Sequence, residues 1–266
     1  MNSITSPIRM LYARRELIGE LIHRELRDRH AGQMLGVLWA YGHPLLLMLI
    51  YTVLFAYVFP ARFSSNGVMQ DFSVNVFAGI VPWLAFQDLL SRSPSILVGH
   101  SNLVKQIVFP TEVLPVKTAL ASALPYTVGL IFATAYAAWY GTLSWLSLLL
   151  PALVLCQMAA MVGVAFILSA GGVFLRDLRD IVTVFCSVNL FAQPILYNPF
   201  STPEWLRWIF AINPFSYLTW CWQDALYHGS FTHITAWIVF PLGSFLVLAL
   251  GWIAFERMRP SFGDAL

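Results

Sequence analysis

Six long apolar runs shape the chain, at about residues 35–59, 73–91, 114–139, 147–171, 181–198 and 233–255. Each reaches or approaches the roughly 20 residues a helix needs to cross a hydrocarbon core of about 30 Å. Inside such a core every backbone N–H and C=O must be paired locally, which predicts helices rather than open strands. Pro44, Pro82 and Pro125 fall within three of the runs and predict kinks there. The expected fold is an all-α polytopic membrane protein with six transmembrane helices.

Three stretches outside the runs carry a mixed pattern. In residues 8–30, Met10, Leu11, Leu17, Ile18, Leu21 and Ile22 recur at helical spacing, while Arg14, Arg15, Glu20 and Arg24 take the other face. Glu20 with Arg24 and Glu25 with Arg29 are i,i+4 pairs in the better orientation. The pattern predicts a basic amphipathic helix lying in the membrane interface. Residues 102–109 are too polar to cross a bilayer and too apolar for an idle loop. They predict a second, shorter amphipathic helix, stopped by Pro110, with Pro115 opening the next span. Residues 198–231 are rich in Trp, Tyr, Phe and Pro and predict two short helices. The first starts at a Ser201/Thr202 cap with Pro203 at its first position and runs through Trp205, Leu206 and Trp208; the second follows Asn213-Pro214 and ends near Gly229. Such a pair either dips into the membrane and returns or lies flat as an aromatic belt, and two proline-broken helices favour the re-entrant form. Between the fourth and fifth runs, Asp177 and Asp180 are expected to cap the following helix. The domain reading is a tail and amphipathic helix over 1–33, a six-span unit over 34–256 and a tail over 257–266.

Composition agrees with the pattern. The 266 residues are 59% hydrophobic and 11% charged, with a mean hydropathy of +0.72; soluble domains carry roughly 25% charged residues. Charge placement sets the orientation. Arg9, Arg14, Arg15, Arg24, Arg27 and Arg29 precede the first run, and Arg92, Lys105 and Lys117 flank the gap between the second and third. Arg176 and Arg179 separate the fourth and fifth, and Arg257 and Arg259 follow the sixth. Only Arg62 and Arg207 fall on the opposite side. The positive-inside rule then predicts cytoplasmic termini. The first apolar run follows a charged segment, unlike a cleaved signal peptide.

The chemistry-bearing residues are sparse. There is no GxxxxGK[ST] loop and no Gly-Lys pair, so no nucleotide site is expected in this chain. HExxH, GxSxG and paired intramembrane carboxylates are absent, and His43 is the one histidine within a run. No catalytic residue and no metal ligand set is expected; Cys156, Cys186 and Cys221 are isolated, without a CxxC. Asp88 and Lys117 lie near span ends, where snorkelling is expected to suffice. Charge-free span centres argue against an ion-coupled carrier. Tyr51, Phe55 and Tyr57, then Phe77, Trp83 and Phe86, then Phe185, Phe191 and Tyr197 form aromatic sets suited to the CH-rich faces of sugar rings or, as readily, to packing and lipid.

Several motifs follow one another in a characteristic order: Leu35-Gly36 with Trp39 and Pro44; Gly79 with Pro82-Trp83; Asn102 to Lys105 with Phe109-Pro110 and Leu114-Pro115; Phe174 with Arg176-Asp177; and Asn213-Pro214. In this order they resemble the membrane subunits of ABC exporters that move polysaccharides, the O-antigen, capsule and teichoic-acid export permeases, and most of all the O-antigen permeases. The resemblance implies a homodimer paired with two copies of a separate ATPase, where ATP and Mg bind; no cofactor binds this chain directly. It implies that Asn102, Leu103, Val104, Lys105, Gln106, Ile107, Val108 and Phe109 form a coupling helix against that ATPase. Leu17, Leu21, Arg24 and Arg27 would belong to an interface helix, and Trp205, Trp208, Phe210 and Tyr217 to re-entrant gate helices. Tyr51, Phe55, Trp83, Phe86, Phe185, Phe191 and Tyr197 are the candidate channel aromatics. The implied substrate is a lipid-linked polysaccharide, usually on an undecaprenyl carrier, moved outward across a bacterial inner membrane; no nucleic acid is involved. An ABC exporter of drugs or small lipids, and a stand-alone membrane enzyme or scaffold, remain the alternatives.

Overall fold

The computed structural model describes residues 14–54, 69–105, 109–197 and 202–266, and every regular element among them is a helix. Helix α1 is Arg15–Asp28, α2 Leu38–Val53 and α3 Met69–Arg92. A 3-10 turn, Ser93–Ser95, leads to the single-turn helices α4, Ile96–Gly99, and α5, Ser101–Val104. Then follow α6, Val113–Ala123, α7, Tyr126–Trp139, and α8, Leu150–Phe174. Helix α9 is Leu178–Asn189, α10 Glu204–Ile212, α11 Pro214–Gln223, α12 Ile234–Met258 and α13 Phe262–Ala265.

Helix α3 occupies the centre. Val76, Phe77, Ile80, Trp83 and Leu89 on it are wholly buried, as a helix apolar on all sides requires. Helices α6 to α9 and α11 surround it. Helices α8 and α12 form the most extensive pair, and glycine allows their approach. A Cβ on Gly163 would meet the backbone of Leu248 at 2.5 Å, and one on Gly251 would collide with the carbonyl of Gly163. Such close backbone contact is the usual device of helix pairs in membranes.

Four helical stretches among the described residues are long and apolar enough to cross a membrane: Phe72–Gly99, Val113–Trp139, Trp145–Phe174 and Ile234–Ala265. The expected count of six is thus met only in part. The first run gives the 16-residue α2, with residues 55–59 outside the described part. The fifth gives the 12-residue α9, because the chain turns over residues 190–197, where Pro194 has no N–H to donate. Pro44 and Pro82 stand inside unbroken helices, whereas Pro125 divides the third run into α6 and α7.

Two expected helix starts differ in detail. Asp177 holds the position before α9, but its backbone is already helical (φ −74°, ψ −9°) and its side chain makes no capping bond. Pro203 precedes α10 with an extended ψ of 148°, so Glu204, not Pro203, is the first helical residue.

Candidate coupling face and polar seam

The amphipathic leader is part of the helix bundle. Helix α1 packs on α6, burying Ile18 and Leu26, with Leu21 and Ile22 against the same cluster of Val113, Leu114 and Val116. Leu17 is half-buried, and Arg24 and Arg27 are exposed. Arg24 reaches Asp28 at 3.5 Å rather than Glu20. The Glu25–Arg29 pair forms as expected, at 2.6 Å, and it is the centre of a larger clamp of ion pairs that joins α1 to α3 and α6. Lys117 Nζ lies 2.9 Å from Glu25 Oε2 and 3.2 Å from His100 Nε2. Arg29 donates to Asp88 at 3.2 Å and to the carbonyl of Ala121, while Asp88 also accepts from Arg92.

Lys117 is 4% exposed, so it does not snorkel. The leader brings a carboxylate to it instead, which satisfies a buried ammonium at far lower cost than leaving it unpaired. Burial by itself would raise the Glu25 carboxyl, but Lys117 and Arg29 outweigh it and hold the group below its ordinary value.

The candidate coupling stretch lies at this same end. Asn102 and Lys105 are exposed, Leu103 is half-buried and Val104 is buried beside Ile96, Leu97, Phe166 and Ala170. Helix α5 ends at Val104, and Lys105 follows in a turn; Gln106, Ile107 and Val108 lie outside the described residues, and Phe109 is half-buried. The stretch is firmly seated upstream, where a Cβ on Gly172 of α8 would collide with the carbonyl of Pro94. The carboxy-terminal end joins it through Arg259 and Glu112, at 3.3 Å.

The opposite end carries a polar seam that the sequence does not announce. Asn213 caps α11 by accepting from the N–H of Phe215 at 3.0 Å. Its amide donates to Asn189 Oδ1 at 2.6 Å and to the carbonyl of Ala192 at 2.8 Å. Thr219 donates to Gln193, and Gln223 donates to the carbonyl of Pro194. These bonds tie α11 to the turn after α9, while Gly79 of α3 leaves room for Thr219, Ile195 and Gln223. Asn213-Pro214 is the one visible sign of the seam; the glutamines and Thr219 are scattered through apolar sequence. Replacing Asn213 by alanine is expected to cost about 1–2 kcal/mol, from the lost cap alone. Thermal unfolding in detergent and faster amide exchange over 204–223 would register it.

The candidate aromatics separate into groups. Trp83 and Phe86 are buried and stand edge-on to Phe215, each at 5.2 Å. Phe185 reaches the same ring at 5.9 Å but is 42% exposed, and Phe191 is exposed. Tyr51 is half-buried against the core, Tyr197 donates its hydroxyl to the carbonyl of Phe191, and Phe55 lies outside the described residues. Trp205 and Trp208 point outward from α10, opposite Phe210, which is buried and packs on Tyr197. Tyr217 donates to the carbonyl of Ala211 at 2.7 Å.

The chain is similar to known proteins along nearly its whole length. Over 266 residues the chain is 29% identical to the O-antigen export system permease protein RfbA of Myxococcus xanthus, covering 97% of this chain and 98% of that one. It is 25% identical over 254 residues to the protein of the same description from Klebsiella pneumoniae, covering 94% and 95%. The family model described as ABC-2 type transporter matches residues 16–226, which include the clamp, the candidate coupling stretch and the seam. The chain belongs to the ABC-2 type transporter family.

Proposed function

We propose that this chain is the transmembrane subunit of an ATP-driven exporter that moves a lipid-linked polysaccharide from the cytoplasm across a bacterial inner membrane. Its relatives are O-antigen export permeases along almost their whole length. A homodimer would form the path, with two copies of a separate ATPase supplying the energy. Both termini would be cytoplasmic, and α2, α3, α6–α7, α8, α9 with its continuation, and α12 would make six crossings.

One observation carries this reading: residues 101–105 present Asn102 and Lys105 at the surface while Val104 anchors them to the core beside α6 and α8. A partner that pushes there moves α3 and α6, the helices joined by the clamp. Exposed aromatics on α9 and α10 suit a hydroxyl-rich polymer, which stacks its CH faces on rings.

The test is co-expression with the ATPase of the same transport system and purification of the complex. Replacing Asn102, Leu103 and Lys105 together by alanine is expected to leave the permease folded and dimeric. It should lower substrate-stimulated ATP hydrolysis at least tenfold. Unchanged coupling in that variant would sink the proposed contact. A deletion strain that keeps its surface glycan, with no lipid-linked polymer building up inside, would reject the substrate and favour a drug or small-lipid exporter.

A further inference from the structure

The structure assigns a transition-metal site to Asp224, His228 and His233, where the π-helical turn Asp224–His228 meets the start of α12. Gly229, at φ +65°, reverses the chain after the turn and returns His233 onto Asp224. One donor atom from each of the three residues lies within 4.8 Å of the other two. Donors around a tetrahedral zinc with bonds of about 2.0–2.1 Å sit ~3.4 Å apart. A modest rotation of the two rings would close that gap.

The arrangement is preorganised in three ways. Asp224 has no exposed surface, and its carboxylate accepts from the N–H of His233 at 2.9 Å and from Trp237 Nε1 at 3.1 Å. It also sits 2.9 Å from His233 Nδ1. An ion that displaced the proton shared there would take Asp224 Oδ1 and His233 Nδ1 as two of its ligands, with a nitrogen of His228 as the third. Trp220 stacks on the His233 ring at 5.1 Å and 8°, which fixes its plane. The His228 ring lies 5.8 Å from it, and both histidines line one cavity of about 270 Å³ together with Tyr197, Arg207 and Gln223.

Two imidazoles and a single carboxylate favour zinc, nickel or copper over calcium or magnesium, which demand several oxygen ligands. Arg207 on the same cavity wall further disfavours a cation held by charge alone. A bound ion would fasten the end of the π turn to the start of α12. His228 and His233 stand at an H-x4-H spacing, within the range of zinc-binding histidine pairs, and the fold adds Asp224 to them.

The full chain, purified without a histidine tag and stripped with chelator, would be titrated with Zn²⁺ by calorimetry and with Co²⁺ by visible absorption. One high-affinity Zn²⁺ per chain is expected, with a higher Tm, and Co²⁺ should give tetrahedral d–d bands. His228→Gln should weaken zinc binding at least tenfold and abolish those bands; His23→Gln with His30→Gln should change neither, and Mg²⁺ should not compete. Because His228 is only half-buried, His228→Gln should fold where Asp224→Asn fails. Absence of Zn²⁺ binding, or binding and Co²⁺ bands that survive His228→Gln and His233→Gln, overturns the assignment.

Discussion

Glu25→Ala is expected to destabilise the protein by about 3 kcal/mol, the cost of leaving a buried cation without its partner. At the size scaling of folded domains this is a Tm lower by roughly 6–12 °C. The reason is asymmetry. Lys117 and Arg29 are 4% and 10% exposed, so neither can turn to water when the carboxylate goes. The double variant Glu25→Ala with Lys117→Met should recover much of the loss, because an apolar replacement of a whole buried pair is often neutral. Failure of that rescue would show that the loss comes from Arg29, the other buried cation beside Glu25, rather than from Lys117. The pH dependence has a definite sign. The Glu25 carboxyl is held below its ordinary value of about 4.5. Its contribution is therefore fully present above that value and is lost as pH falls through the lower, folded-state value. Glu25→Gln should flatten the acid limb of stability below about pH 4.5 and leave the neutral range lower but level.

Gly163→Leu should be more damaging still, preventing α8 and α12 from closing. Even the first carbon of a side chain would meet Leu248 N at 2.5 Å, against backbone that cannot move aside. Overpacking of this kind costs typically 1–3 kcal/mol and more when no side chain can yield. Little folded protein is expected in detergent extracts, read as loss of the monodisperse peak in size-exclusion chromatography. Gly243→Ala is the matched control on α12. Nothing lies within 4 Å of its Cβ position, and alanine is the better helix former by up to about 1 kcal/mol. It should leave the peak intact and raise Tm slightly. Equal behaviour of the two variants would mean that the close approach of α8 and α12 is not what holds them.

Much of this was legible because the bilayer simplifies the grammar. Apolar runs long enough to cross have to be helices, so α3, α8 and α12 follow from hydropathy, and the basic residues cluster at the end where α1 packs. The leader's amphipathic stripe predicts α1, and the Glu25–Arg29 spacing predicts half the clamp. The other half was hidden. Lys117 and Asp88 look like ordinary span-end charges, and pairing across 92 and 59 positions leaves no local trace. The turn after α9 was hidden for a similar reason. Asn189, Gln193 and Pro194 interrupt an apolar run too weakly to end it on a hydropathy scale, yet their hydrogen bonds to Asn213, Thr219 and Gln223 do end it. Asp177 shows the converse, a capping residue in the right place whose geometry never lets it cap.

The ion pairs at the end of the bundle where α1 packs also bear on parity. Glu25 meets Lys117, and Arg259 meets Glu112, so residues near both ends of the chain share one level of the bundle. A path that starts and finishes at one level traverses the slab an even number of times. Helices α2, α3, α6–α7, α8 and α12, taken as proposed, supply five traverses, which is odd. In the proposed six-span arrangement the balancing passage would fall between Arg179 and His233, in the stretch that holds α9, its polar turn and the paired helices α10 and α11. Short as those helices are, the proposed topology with both termini in the cytoplasm gives that part of the chain the sixth crossing rather than the role of a surface ornament.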